Sequence, residues 1–81
     1  MSRLPTISPN LMAKFLVAVG FKKSRQLGSH IFFRHADGRT ATVPFYKGED
    51  LGRGLVNKIL HDTDVTRDGL LDWLAKEKTS R

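Results

Sequence analysis

Cysteine is absent from the 81 residues, which excludes a disulfide frame and any cysteine-ligated metal centre. Long apolar runs are missing too. The longest, Phe15 to Val19, is far short of the roughly 20 residues that cross a bilayer. Met1-Ser2-Arg3-Leu4-Pro5 lacks the apolar centre of a secretory signal, so the expectation is a cytoplasmic protein with no membrane partner. Carboxylates are scarce: 8 acids stand against 14 Lys and Arg, a formal net charge of +6. On so small a chain this favours a polyanionic partner, a nucleic acid or an acidic protein, over a merely solubilising surface. There is no Lys/Arg block to act as a basic tail, no internal repeat and no low-complexity stretch. The length suits one domain, residues 1–81 with a core over about 8–78, near the small end of what folds without staples.

Residues 1–7 read as a short lead-in. Ser8 is a good N-cap, and Pro9 falls at the first helical position, where its missing N–H costs nothing. A helix is expected from about Pro9 to Val19, with Leu11, Phe15 and Ala18/Val19 as its apolar stripe and Met12 and Leu16 widening it. Lys14 is the helix's one charge and should face solvent. Gly20 should stop the helix as a left-handed residue. Phe21 to Leu27 reads as a strand with a crowded polar side of Lys22, Lys23 and Arg25. Gly28 ends it in a tight turn, so the next strand, about Ser29 to His35, must be its antiparallel neighbour. A third strand is expected over about Arg39 to Val43, and Pro44 ends it.

The loop between the second and third strands can be tested against side-chain alternation. A two-residue loop at Asp37-Gly38 would set Phe32 beside Val43 and Phe33 beside Thr42, mixing apolar with polar. A three-residue loop, Ala36-Asp37-Gly38, sets Ile31 beside Val43 and Phe33 beside Ala41, with Phe32 beside Thr42 and Arg34 beside Thr40. The second register keeps one face apolar, and Gly38 suits the left-handed last position of such a loop. If helices cover the apolar face, His30, Phe32 and Arg34 lie together on an open one. Beyond the sheet, a loop over Phe45 to Leu51 leads to a helix from about Arg53 to Asp62, buried through Leu55, Val56, Ile59 and Leu60, with Gly52 or Asp50 as cap. Thr66 caps a last helix from about Arg67 to Lys78, with Val65 and Leu70 as a hydrophobic staple. Leu70, Leu71 and Leu74 should face inward and Trp73 lie at the margin. The tail from Lys76 to Arg81 should fray.

Gly28-Ser29-His30-Ile31-Phe32-Phe33-Arg34 is the stretch best suited to chemistry. Glycine allows close approach of a ligand or backbone, an imidazole moves protons near neutral pH, and a guanidinium holds phosphate. An exposed Phe32 between a His and an Arg is placed to stack on a base, or else packs under a loop or a partner protein. The start of the second helix, beside Lys47 and Arg53, would suit a phosphate; otherwise it is an ordinary glycine-rich helix entry. His35, at the hairpin shoulder on the covered side, and His61, complementing the dipole of the second helix's last turn, need no chemistry to explain them.

The order helix, three antiparallel strands, helix is similar to the double-stranded RNA-binding fold, although the lysine-rich opening of that family's second helix is missing. The detailed motifs are closer to another family. Gly20-Phe21, Gly28-Ser29-His30-Ile31-Phe32, Asp37-Gly38-Arg39, Thr42-Val43-Pro44, Lys47-Gly48-Glu49-Asp50-Leu51 and Leu55, Ile59, Leu60 resemble the HicA (YcfA-like) toxin family over about residues 10–75. The resemblance implies an α+β, double-stranded RNA-binding-like fold with a short additional C-terminal helix. It implies an RNA-cleaving toxin of a bacterial toxin–antitoxin pair that uses no metal or other cofactor, with its essential histidine at His30 and a HicB-type antitoxin covering the active surface. Many members carry a second histidine after the Val-Pro, where this chain reads Phe45-Tyr46, and a phenol is a poor proton carrier at neutral pH. Metal-free RNA cleavage needs a base for the 2′-OH, an acid for the leaving 5′-oxygen and cations for the phosphate. His30 is the expected proton-transfer group, with Lys22, Lys23, Ser29, Phe32, Arg34, Tyr46, Lys47 and Arg53 as candidate RNA contacts. Two alternatives use the same basic strand and open face: a non-catalytic RNA-binding module, and an interaction protein docking an acidic partner.

Overall fold

The computed structural model describes residues 4–79, with the backbone alone for residues 78 and 79. In chain order the elements are α1 (Pro9–Ala18), β1 (Phe21–Leu27), β2 (His30–His35), β3 (Thr40–Pro44), α2 (Arg53–Thr63) and α3 (Arg67–Thr79). The strands form one antiparallel sheet in the order β1-β2-β3. α1 packs on β1 and β3, and α2 packs on β3. This is an α+β, double-stranded RNA-binding-like arrangement with an extra helix at its end.

The β2–β3 register is the three-residue-loop register. Ile31 pairs with Val43, Phe33 with Ala41, Phe32 with Thr42 and Arg34 with Thr40. Gly38 takes φ +100 at the position where such a loop needs a left-handed residue. Ile31, Phe33, Ala41 and Val43 are buried beneath the helices, while His30 and Arg34 are exposed and Phe32 is half-buried on the other face. Between β1 and β2 the register shifts at Lys23/Arg25. This bulge was not expected from the sequence, because one polar residue more or less disturbs no apolar pattern in a strand that buries only Phe21.

Ser8 caps α1 as expected, its Oγ accepting from the Leu11 N–H at 3.1 Å, and Gly20 follows the helix at φ +102. The buried stripe is rotated from the expected one. Pro9, Met12, Phe15 and Leu16 are buried, Leu11 is half-buried and Ala18 faces solvent. Positions 9, 12 and 16 make the inward row through spacings of three and four. Lys14 is exposed but pairs with Glu77 of α3 at 3.0 Å. The lead-in is structural as well: Leu4 and Ile7 belong to the core, and Ile7 accepts from the Leu51 N–H at 2.7 Å. The lead-in residues 1–3 lie outside the described residues.

α2 begins at Arg53 after Gly52, which offers no side-chain cap, and closes on Asp64 in the left-handed region. Val56, Ile59 and Leu60 are buried as expected, and Leu55 is half-buried. Thr63, one residue past the expected end, is also buried and donates its hydroxyl to the Ile59 carbonyl at 2.8 Å. Thr66 caps α3 through the Gly69 N–H at 2.9 Å, Leu70 is fully buried, and Trp73 meets Phe15 edge-on at 5.3 Å. Leu71 and Leu74 are half-buried. α3 runs through Lys76 to Thr79, and the end of the tail expected to fray, Ser80 and Arg81, lies outside the described residues.

Candidate active site

His30 opens β2, with Leu27 of β1 opposite it on one side and Pro44 of β3 on the other. The turn before it and the segment after β3 are tied together, the Phe45 N–H donating to the Ser29 carbonyl at 2.5 Å. That bond carries the chain back past the start of β2 and brings Tyr46 to His30. The two rings meet edge to face, 5.9 Å between centroids and 86° between planes. Tyr46 then accepts from the Glu49 N–H at 3.1 Å, closing a short turn that presents Lys47 to solvent. Neither nitrogen of His30 has a hydrogen bond or ion pair among the described residues, so both are open to a ligand.

Cross-strand pairing decides which other side chains share this face. Lys22 lies opposite Arg34, Arg25 opposite Phe32 and Leu27 opposite His30. The bulge at Ser24 is what turns Arg25 onto the His30 side, where its guanidinium lies 5.4 Å from the centre of the Phe32 ring. Leu27 is 55 % exposed and Tyr46 49 % exposed, giving the imidazole an apolar surround. No carboxylate stands on any of the three strands, so the charged side chains that the strands put on this face are all cations, which favours an anion there.

Ser29 and Tyr46 therefore stand beside His30, with Phe32 next along β2 and Lys22 and Arg34 at the far end of the open face. At about 3.3 Å per residue the Arg34 Cα is roughly 13 Å from that of His30, too far for one phosphate to rest between them without a long reach. Lys23 pairs with Phe33 and so belongs to the opposite side of β1. Arg53 is tied to the N-terminal segment, its Nε donating to the Leu4 carbonyl at 2.7 Å. Arg25 and Leu27 were missed by sequence reasoning. Only the bulge places the first, and an exposed leucine leaves no signal in a hydrophobic pattern.

The other histidines are accounted for structurally. The His35 Nδ1 accepts from the Asp37 N–H at 3.1 Å, and its ring packs edge-on against Phe21 at 5.1 Å. His61 is exposed at the end of α2. Among the described residues no three His, Asp or Glu side chains converge to hold a metal ion. A larger hollow, about 1040 Å³, lies between the N-terminal segment, α1 and α3, and none of its lining residues is on the sheet.

Residues 12–65 match the family model described as the HicA toxin of bacterial toxin–antitoxin, more than half of the chain and all of the sheet. The chain belongs to the HicA toxin family. It is thus a toxin of the toxin–antitoxin kind, and the matched span of this HicA-family protein contains both His30 and Tyr46. No curated protein matches the chain.

Proposed function

We propose that this HicA-family protein is a single-domain, metal-independent endoribonuclease that uses His30 to move protons, works in the cytoplasm on mRNA, and is neutralised by a HicB-type antitoxin seated over the open sheet face. The observation that carries the reading is His30 itself: an exposed imidazole with both nitrogens unpartnered, on a face whose charged side chains are all cations. In the reaction the 2′-oxygen attacks the adjacent phosphorus and the P–O5′ bond breaks. The 2′-OH proton passes to the imidazole, and the 5′-oxygen leaves with a proton from the imidazolium or from water. The products are a 2′,3′-cyclic phosphate and a 5′-hydroxyl. One imidazole serving both proton steps makes a slow enzyme. Ser29 and Tyr46 beside His30, and Lys47 next in the chain to Tyr46, are the groups proposed to steady the phosphate, and Phe32 offers a neighbouring base a ring to stack on.

The test is cleavage of a labelled single-stranded RNA in EDTA by the full chain and by His30→Ala. The expected result is cutting with cyclic-phosphate ends and a loss of about 10²–10⁴-fold in the variant. Equal cutting by both proteins overturns the role of His30, and loss of cutting in EDTA overturns the metal-independent route. The second reading, a non-catalytic RNA-binding module, is favoured by one observation: among the described residues His30 makes no hydrogen bond or ion pair with a second imidazole or a carboxylate. RNA bound in a salt-dependent way and left intact by both proteins would select it.

A further inference from the structure

Lys22 of β1 and Arg34 of β2 lie directly opposite one another. Both are exposed, and neither has an acidic partner among the described residues. Like charges directly opposite on an antiparallel pair destabilise it, so the fold keeps an unfavourable pairing here. Beside the pair is a shallow cleft lined by Gly20, Lys22, Lys23, Arg34, His35 and Ala36. Lys23 pairs toward the other side of β1 yet also lines this cleft, as does Ser24 at the bulge between Lys23 and Arg25. The nearest acid in sequence, Asp37, is already held by Arg39, whose Nε lies 2.9 Å from its Oδ2. Three cations thus line one hollow, and the carboxylate beside it, that of Asp37, whose Oδ1 lies 3.1 Å from the Nδ1 of the lining His35, is shared with Arg39.

We infer that this cleft is a second phosphate subsite, for an RNA backbone phosphate remote from the one at His30. The inference rests on the ribonuclease reading for what lies at His30, while the anion site itself does not need cleavage. Along β2 the two ends of the open face are roughly 13 Å apart. That is about four stacked steps at 3.4 Å per nucleotide, and fewer where the strand is stretched. Phe32, under the Arg25 guanidinium, lies between the two ends and suits an intervening base. The ligand class is therefore a single strand several nucleotides long, its backbone running along β2. A dinucleotide cannot occupy both ends.

The experiment measures binding of fluorescent single-stranded hexanucleotide and dinucleotide RNA to the full-length His30→Ala protein, with and without the pair Lys22→Thr/Arg34→Thr, across a salt series. Expected for the hexanucleotide is weaker binding and a salt slope shallower by about 0.7 for each phosphate that the protein no longer neutralises. The dinucleotide should lose less. Relief of the like-charge pair should leave the melting temperature equal or higher, separating weakened binding from impaired folding. If the threonine pair melts lower, Lys22→Gln/Arg34→Gln, which keeps the aliphatic stems, replaces it. An unchanged hexanucleotide affinity and slope overturns the subsite, and an equal loss for both RNAs overturns its distance from His30. A wild-type chain that cuts RNA while the slope does not move sinks the subsite alone. A slope that moves with a wild-type chain that never cuts sinks the ribonuclease reading alone.

Discussion

The Tyr46 ring stands nearly perpendicular to the imidazole of His30, at 86° with 5.9 Å between centroids. It is the one aromatic wall the imidazole has among the described residues, and no hydrogen bond fixes the ring in its place. Edge-to-face pairs contribute about 0.5–1.5 kcal/mol. Tyr46→Ala should therefore slow RNA cleavage roughly 2- to 12-fold at constant KM, while Tyr46→Phe should keep the rate. The proton resonances of His30 should shift in the alanine variant, as the ring current is lost, and stay in place in the phenylalanine variant. A phenylalanine variant as slow as alanine would assign the effect to the hydroxyl.

Phe32 and Phe33 are neighbours in sequence with opposite fates. Phe33 is 3 % exposed in the core, and Phe33→Ala should cost about 3–5 kcal/mol of stability, read by denaturant or thermal melting. Phe32 lies on the open face, so Phe32→Ala should melt much closer to wild type. It should instead weaken RNA binding by the equivalent of about 1–3 kcal/mol for one stacked base. Equal destabilisation by the two substitutions would contradict the register.

Gly20 answers two demands at once. Its φ is +102, and a Cβ there would stand 2.7 Å from the His35 Nε2. Gly20→Ala should lower stability by more than the roughly 1–2 kcal/mol of a left-handed alanine alone. Adding His35→Ala removes the collision but not the strained backbone. The double variant should therefore lose less than the sum of the two single variants, a coupling that a double-mutant cycle measures.

Asp37 is held below its ordinary pKa of 3.8, first by the hydrogen bond from the Arg39 side chain and next by that from the Arg39 backbone N–H. A lowered carboxylate pKa in the folded state adds stability above the unfolded value and loses it as pH falls through that region. Melting temperature in Asp37→Asn should accordingly depend less on pH below about pH 4 than in the wild type. Arg39 also lies over Phe21 at 5.3 Å and donates from Nη1 to the Thr63 carbonyl, so Arg39→Ala should loosen both the hairpin and the end of α2.

The sheet was legible in the sequence because each apolar residue of β2 and β3 had a single partner that kept one face dry. That constraint set the loop length, the register and the sharing of one face by His30, Phe32 and Arg34. The caps at Ser8 and Thr66 were legible for a similar reason: one side-chain type satisfies one backbone N–H. Leu4 and Ile7 gave no such signal, since two isolated apolar residues beside Pro5 show no period. The bulge at Ser24 was equally silent, and with it the place of Arg25. Tyr46 was readable as a residue near the strand end, but its approach to His30 depends on the Phe45 N–H to Ser29 carbonyl bond, which no side-chain pattern encodes.

β1 is an edge strand, and among the described residues its outer backbone groups have no strand to pair with. Such an edge invites another chain to add to it, and lysines and a bulge are what discourage this. Lys22, Lys23, Arg25 and the irregularity at Ser24 therefore guard the edge, and Lys22 and Arg25 charge the open face as well. A chain stripped of those charges to make it harmless to RNA would also lose its protection against edge-to-edge association. Its failure in a cell would then show as insoluble protein, so the soluble fraction has to be measured before lost toxicity is credited to lost chemistry.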